Sequence, residues 1–267
     1  MLEEKSYQKI YPKLAGKPRH KVMVIAHRGY SGIAPENTIS AFKKAIEAGA
    51  DMIELDIFLS KDGEIVVFHD KNLKRTTKTK GKVKDLLLWE LKELDAGSWF
   101  KPEFTGERIP TLEEVLILTK GKIMVNIEIK ADAINSYKKK GGIEEKLVKL
   151  IEKYDISSEV IISSYNLLAL KRIKELNPNI STALLYRFRI KKLLLKIAGE
   201  NLIDAFHPGK RFLNKKTLLT TKKDDFKINV YTINQKREMK KFIKIGVDGI
   251  ITNYPDRLFE LLREMKL

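Results

Sequence analysis

Cysteine is absent from all 267 residues, which excludes disulfide staples and thiolate metal sites without fixing a redox compartment. No run of eighteen apolar residues occurs, so no transmembrane helix is expected. The opening residues, Met1 to Ser6, carry acids and no apolar stretch, so residues 1–21 read as an N-terminal extension rather than a secretory signal, and a cytoplasmic protein is expected. Negative charge is also in short supply. Thirty-five Asp and Glu face 52 Lys and Arg, for a net charge of +17 and a pI near 9.7.

That imbalance raises a nucleic-acid reading, which the distribution of the lysines weakens. They are scattered from Lys71–Lys84 through Lys138–Lys140, Lys191–Lys192 and Lys215–Lys216 to Lys222–Lys223, with no interleaved aromatic residues. No nucleic-acid partner is therefore expected, and a solvated lysine-rich surface is the simpler reading. Such a surface attracts anionic substrates and allows weak contact with an anionic membrane. A non-catalytic basic module binding nucleic acid or anionic surfaces stands as the reading from a different class.

Histidine is scarce, and its placement is informative. Two of only four histidines, His27 and His69, end short apolar runs, and between those runs lie Glu54 and Asp56. Residues i and i+2 of a strand project to the same face, so these two carboxylates stand side by side. Adjacent carboxylates repel unless a positive charge lies between them, and oxygen-only ligands suit Mg²⁺ or Ca²⁺ better than zinc.

Short apolar runs alternate with amphipathic segments along the chain. Strands are expected over 22–26, 52–57, 65–69, 123–129, 160–164, 180–186, 202–206, 227–232 and 248–252. Helices are expected over 38–48, 111–119, 143–153, 166–176, 190–198, 213–222, 235–244 and 255–265, with Thr38, Thr111 and Asn166 as N-caps. This alternation means parallel strands with crossovers, in a closed barrel or a doubly wound sheet. His27, Glu54, Asp56, His69, Glu128 and Lys130 lie toward the C-terminal ends of runs spread over a hundred residues, and a barrel gathers such positions at one mouth. The first turn, Arg28 to Gly32, matches the dinucleotide-binding fingerprint poorly. The expectation is thus an α/β fold, a distorted TIM (β/α)8 barrel over residues 22–267.

Nine strand candidates compete for eight places, and 202–206 is the weakest of them. Residues 58–64 are too few for a crossover helix; Asp62-Gly63 can turn a hairpin whose register sets Asp56 opposite His69. Residues 70–110, with both tryptophans, are too long for an ordinary connection. They read as an insertion subdomain over the mouth, or as a satellite core built on Trp89, Trp99 and Phe100.

The motifs His27-Arg28-Gly29, Pro35 to Thr38, Glu54-Leu55-Asp56, Lys61 to Gly63, His69-Asp70, Arg75 to Thr77, Ile127 to Lys130 and Thr252 to Pro255 occur in order across nearly the whole chain. Together they resemble the glycerophosphodiester phosphodiesterase family. The resemblance implies a distorted TIM barrel, one divalent cation, and hydrolysis of glycerophosphodiesters to sn-glycerol 3-phosphate and an alcohol. It implies Glu54, Asp56 and Glu128 as metal ligands and His27 and His69 as the acid/base pair. His69 is expected as the base and His27 as the acid, with the reverse order left open. Arg28 resembles the family's phosphate-binding arginine, and Lys130 is expected to assist it.

Two positions depart from the family's habit. Tyr231 stands where tryptophan is frequent, and it supplies an amphipathic wall for glycerol or a lipid tail. Asn253 stands where aspartate is frequent. Neither departure is expected to touch the metal, acid or base positions. Asn37 is expected to shape a turn, and His20 and His207 receive no role, though His207 lies near enough to a strand end to line the mouth. The leading substrate is a deacylated glycerophosphodiester, and lysophospholipase D action on lysophospholipids is the alternative.

Overall fold

The computed structural model describes residues 20–130, 133, 140–187, 202–215, 218–219 and 226–267. Eight parallel strands close a barrel: β1 (Met23–His27), β2 (Met52–Leu59), β4 (Met124–Ile129), β5 (Val160–Ser164), β6 (Ser181–Tyr186), β7 (Ala205–Pro208), β8 (Lys227–Val230) and β9 (Gly249–Thr252). Closure comes from β1, which pairs with β9 on one side and β2 on the other. The ninth strand, β3 (Ile65–Val67), runs antiparallel to β2 and stays outside the ring. The weak candidate near 202–206 is therefore a barrel strand after all. Its signal is faint because only four residues pair, two of them His207 and Pro208.

The hairpin turns at Asp62-Gly63 as expected, with Gly63 at a φ of 84° and Ser60 N–H donating to the Glu64 carbonyl at 2.9 Å. Its register differs from the expected one by a single residue. Ile57 faces Val67, so Asp56 lies opposite Phe68, whose N–H donates to the Asp56 carbonyl at 2.9 Å, and His69 falls just past the ladder. One extra turn residue moves the pairing: Ser60 rather than Lys61 closes the turn on Glu64. A one-residue slip exchanges faces in a strand, but His69 lies beyond the strand end and escapes that constraint.

Each barrel strand buries both faces, as β2 shows. Ile53, Leu55 and Ile57 point outward into the layer beneath the helices. Met52 points inward and joins Met23, Ile25, Met124, Ile161, Ala183, Ala205 and Ile251 in a plug that fills the barrel. Glu54 and Asp56 continue that inward row toward the mouth.

Helices α1 (Ile39–Glu47), α4 (Leu112–Thr119), α5 (Ile143–Tyr154), α6 (Leu167–Leu176), α7 (Lys236–Ile245) and α8 (Pro255–Glu264) form the outer layer, while the short α2 (Lys74–Thr77) and α3 (Leu88–Glu93) lie in the segment after β3. The expected caps are in place: Thr38 accepts from Ala41 N–H, Thr111 from Glu114 N–H and Asn166 from Leu168 N–H. The helix expected at 190–198 and half of the one at 213–222 lie outside the described residues.

The segment 70–110 serves two purposes. Asp70, Lys71, Asn72, Lys74 and Arg75 wall one side of an open cavity of about 980 Å³ at the mouth. Phe100 and Phe104 pack with Ala34 and Ala41 in a separate small cluster, and Trp99 Nε1 donates to the Ala96 carbonyl at 2.9 Å. Trp89 belongs to neither and is 65% exposed.

Candidate active site

Strand register assembles the site. β1 and β2 pair so that His27 lies beside Glu54, and β2 and β4 pair so that Asp56 lies beside Glu128. Four residues distant in sequence thereby meet on three neighbouring strands. Glu54, Asp56 and Glu128 are all buried, and each offers an oxygen within 4.8 Å of the other two.

Two cations hold this cluster from opposite sides. Lys130 Nζ lies 2.7 Å from Glu128 Oε1 and 3.2 Å from Asp56 Oδ1. The Arg28 backbone N–H donates to Glu54 Oε2 at 2.9 Å, its Nη1 to Glu36 Oε1 at 2.7 Å, and its Nε lies 3.4 Å from Asp56 Oδ2. Local backbone explains the Arg28 position: Arg28 and Gly29 take φ values of 56° and 78°, which fold the chain back as it leaves β1. A side chain at Gly29 would stand 2.7 Å from the Ala41 backbone carbon, so glycine is required there on two counts.

Burial and mutual repulsion push the Glu54 carboxyl well above the usual range, and the same two causes raise Glu128. Burial also opposes the Asp56 carboxylate, but Arg28 and Lys130 outweigh it and hold Asp56 below its ordinary value. Arg28 and Lys130 thus leave part of the negative charge uncompensated. Three converging carboxylates with residual repulsion and no soft donor fit a hard divalent cation.

His27 and His69 stand in contrasting surroundings. His27 Nδ1 is 2.7 Å from Asn253 Oδ1, and its Nε2 is 3.9 Å from Glu54. Burial and the adjacent Arg28 charge lower its pKa from 6.5 to about 3. His69 Nδ1 instead meets the Asp70 carboxylate, which in turn accepts from Arg75 Nε. Burial lowers the His69 pKa as well, against the opposing pull of Asp56 and Asp70.

Three residues given lesser parts by sequence reasoning belong here. Asn253 was expected to leave the acid and base positions untouched, yet its side chain is the direct partner of His27, and its own N–H is held by Asn234 Oδ1 at 2.9 Å. Asn37 does more than turn the chain: at a φ of 58° it donates from Nδ2 to Asp56 Oδ2 at 2.9 Å. Glu36 links Arg28 to Arg75, accepting from both. The signal for all three was their place inside the quoted motifs, but their partners His27, Asp56 and Arg75 lie on other elements, which periodicity does not reveal.

The remaining expectations divide. Tyr231 reaches the far side of the mouth, where its hydroxyl is 2.6 Å from that of Tyr165. His207 does not line the mouth. It is fully buried inside the barrel, 3.0 Å from Asn229 Nδ2, because its register position on β7 points to the barrel axis below the rim. His20 lies against Phe259 and the Leu267 carbonyl, away from the site.

The chain is similar to proteins of one family along nearly its whole length. The profile of the "Glycerophosphoryl diester phosphodiesterase family" matches residues 27–257. A glycerophosphodiester phosphodiesterase of Caldanaerobacter subterraneus is 44% identical over 248 residues, covering 91% of this chain and 99% of that relative. One from Bacillus altitudinis is 39% identical over 249 residues, covering 91% and 99%. Among solved structures, an Oleispira antarctica phosphodiesterase in complex with its product sn-glycerol-3-phosphate superposes with a TM-score of 0.79 at 30% identity, over 90% of this chain and 96% of that one. The Thermotoga maritima glycerophosphodiester phosphodiesterase gives 0.73 at 30% identity, over 91% and 100%. This chain belongs to the glycerophosphoryl diester phosphodiesterase family of enzymes.

Proposed function

We propose that the chain hydrolyses glycerophosphodiesters to sn-glycerol 3-phosphate and an alcohol, with one divalent cation, Mg²⁺ or Ca²⁺, held by Glu54, Asp56 and Glu128. The observation that carries this reading is the convergence of three buried carboxylates between two imidazoles and two cations at one barrel mouth. The bound cation would neutralise phosphoryl charge at the carboxylate cluster.

Arg28 and Lys130 present guanidinium and ammonium groups beside the same cluster, so a phosphodiester anion docking there gains charge-assisted hydrogen bonds from both. His69 is the stronger base of the two histidines, because Asp70 on Nδ1 favours its charged form. It takes the proton of the attacking oxygen as the oxygen–phosphorus bond forms; where that oxygen is the substrate's glycerol hydroxyl rather than water, a water then opens the cyclic phosphate to glycerol 3-phosphate with the two histidines in reversed roles. His27 gives a proton to the departing alkoxide as the other phosphorus–oxygen bond breaks. Burial and Arg28 disfavour its charged form, and an approaching phosphoryl anion favours that form at the moment the proton is needed. Asn253 Oδ1 on Nδ1 fixes the ring so that Nε2 faces the site.

A turnover panel tests the reading: glycerophosphocholine, glycerophosphoethanolamine and lysophosphatidylcholine, each with EDTA and then with Mg²⁺ or Ca²⁺ restored. Release of glycerol 3-phosphate only with a divalent ion is expected, and silence on every diester with every ion would sink it. The exposed Ile33, in the loop after β1, and Leu168, at the start of the helix after β5, give the rim apolar points that suit an acyl chain. They support the lysophospholipid reading, which prevails if lysophosphatidylcholine is turned over as fast as glycerophosphocholine.

A further inference from the structure

The cavity at the mouth extends from His69, Glu128 and Lys130 to a wall formed by Tyr165 and Arg187. Most of its positive charge is already matched. Lys130 is committed to Asp56 and Glu128, and Arg75 to Glu36 and Asp70. Arg187 is different. Its partners among the described residues are aromatic: the guanidinium carbon lies 5.1 Å from the centre of the Tyr165 ring, and hydrogen bonds join it to the Tyr165 and Tyr231 hydroxyls.

Those phenols are also committed to one another. Tyr165 and Tyr231 oxygens are 2.6 Å apart, and Tyr231 donates to the Tyr186 carbonyl at 3.3 Å. The result is a guanidinium braced by a ring and two hydroxyls, exposed toward the cavity, with no carboxylate partner among the described residues. An arginine has five N–H donors in a planar fork, so donors remain for a second, bidentate oxyanion. Lys71 and Lys74 line the same cavity and add to its positive potential.

We propose that Arg187 is a specificity-determining residue that binds a second anionic group, a phosphomonoester, on the alcohol attached to the scissile phosphoryl. This rests on the diesterase reading above and narrows it. The scissile phosphoryl docks between Arg28 and Lys130 at the near end of the cavity. A charged substituent on the departing alcohol reaches the far wall, where the guanidinium is held by Tyr165 and Tyr231. A cationic alcohol such as choline meets an unmatched positive charge there and is disfavoured.

A matched pair of probes tests this: glycerophosphoglycerol and glycerophosphoglycerol phosphate, which differ by one terminal phosphate. kcat/KM is measured for both on the wild-type chain, Arg187→Gln and Arg187→Lys, and calorimetric binding is measured with the divalent ion left out. The wild type is expected to prefer the phosphorylated probe, and Arg187→Gln is expected to lower that preference ratio roughly tenfold, the value of one charge-assisted contact. Arg187→Lys should retain part of it. Equal losses on both probes would assign Arg187 to the scissile phosphoryl and overturn the proposal, as would an unchanged ratio. If no diester is cleaved, but the phosphorylated probe binds the wild type more tightly and loses that advantage in Arg187→Gln, the binding proposal stands and the diesterase reading falls. Equal binding of the two probes overturns it.

Discussion

Strands β1, β2 and β4 bring an imidazole and three carboxylates to the mouth, whereas β5, β6 and β8 lead into two phenols and a guanidinium. The first half is densely charged and buried, and its pKa values are displaced in opposing directions by burial and by neighbouring charges. Among the described residues lining the cavity, the second half contributes one charged side chain, Arg187. One half is suited to proton transfer and charge neutralisation, the other to recognising what is attached to the reacting group. A mutation's effect should therefore depend on which half it strikes: chemistry is lost on one side, and selectivity changes on the other.

The comparison is sharpest at the histidines. His27→Ala and His69→Ala should each lower kcat by roughly 10²- to 10⁴-fold, the range for a lost general acid or base, with KM changed far less. Steady-state kinetics on a single diester checks this, with circular dichroism to confirm the fold. Near-normal turnover by His69→Ala would remove it from the mechanism. Glu54→Gln should come next. Loss of one carboxylate weakens cation binding, so activity lost at low divalent concentration should return in part at high concentration, and a titration with Mg²⁺ or Ca²⁺ reads the shift directly.

Asn253→Ala separates positioning from chemistry. Removing the side-chain partner of His27 Nδ1 frees the ring to turn, and a loss of roughly 10- to 100-fold in kcat is expected, in the range for a residue that orients a catalytic group through one hydrogen bond. Asn253→Asp should behave differently. A carboxylate on Nδ1 favours the imidazolium, so the His27-dependent limb of the pH–rate profile should move to higher pH. An unmoved profile would show that the contact does not govern the His27 proton.

The same contrast between halves explains what was legible in the sequence. The carboxylates and His27 lie in short motifs on regular strands, and His69 just past the end of one, where period-two alternation and the order of motifs announce them. The barrel, the hairpin turn at Gly63 and the caps at Thr38, Thr111 and Asn166 were legible for the same reason, since each depends on residues adjacent in the chain. The hairpin register was not, because a turn of Ser60 to Glu64 permits neighbouring pairings that only packing against α4 decides. Nor were the Asn253–His27 and Tyr165–Tyr231 contacts, which join residues 226 and 66 positions apart. Arg187 stood outside every motif, and the role proposed for it rests on its lack of a carboxylate partner among the described residues.

The smallest effect on catalysis is expected at His207, which supplies a control lying inside the barrel and outside both halves of the rim. Burial holds its imidazole neutral, with a pKa lowered from 6.5 to about 3. In the unfolded chain it takes up a proton near pH 6.5, and in the folded chain it does not until about pH 3. Between those values the unfolded state binds more protons, so stability falls as the pH falls. Each pH unit in that window weakens folding by up to roughly tenfold in equilibrium constant for this residue, and the buried His27 adds a second contribution. His207→Gln removes its own contribution and leaves those of His27 and His69, whose pKa values are also lowered. Its urea-unfolding stability should therefore decline less steeply than the wild type between pH 6 and pH 4, an interval inside that window, while turnover at neutral pH stays close to normal. Parallel slopes for the two proteins would show that this imidazole is solvated or paired on folding, and the acid sensitivity of the barrel would then belong to the carboxylate half of the rim.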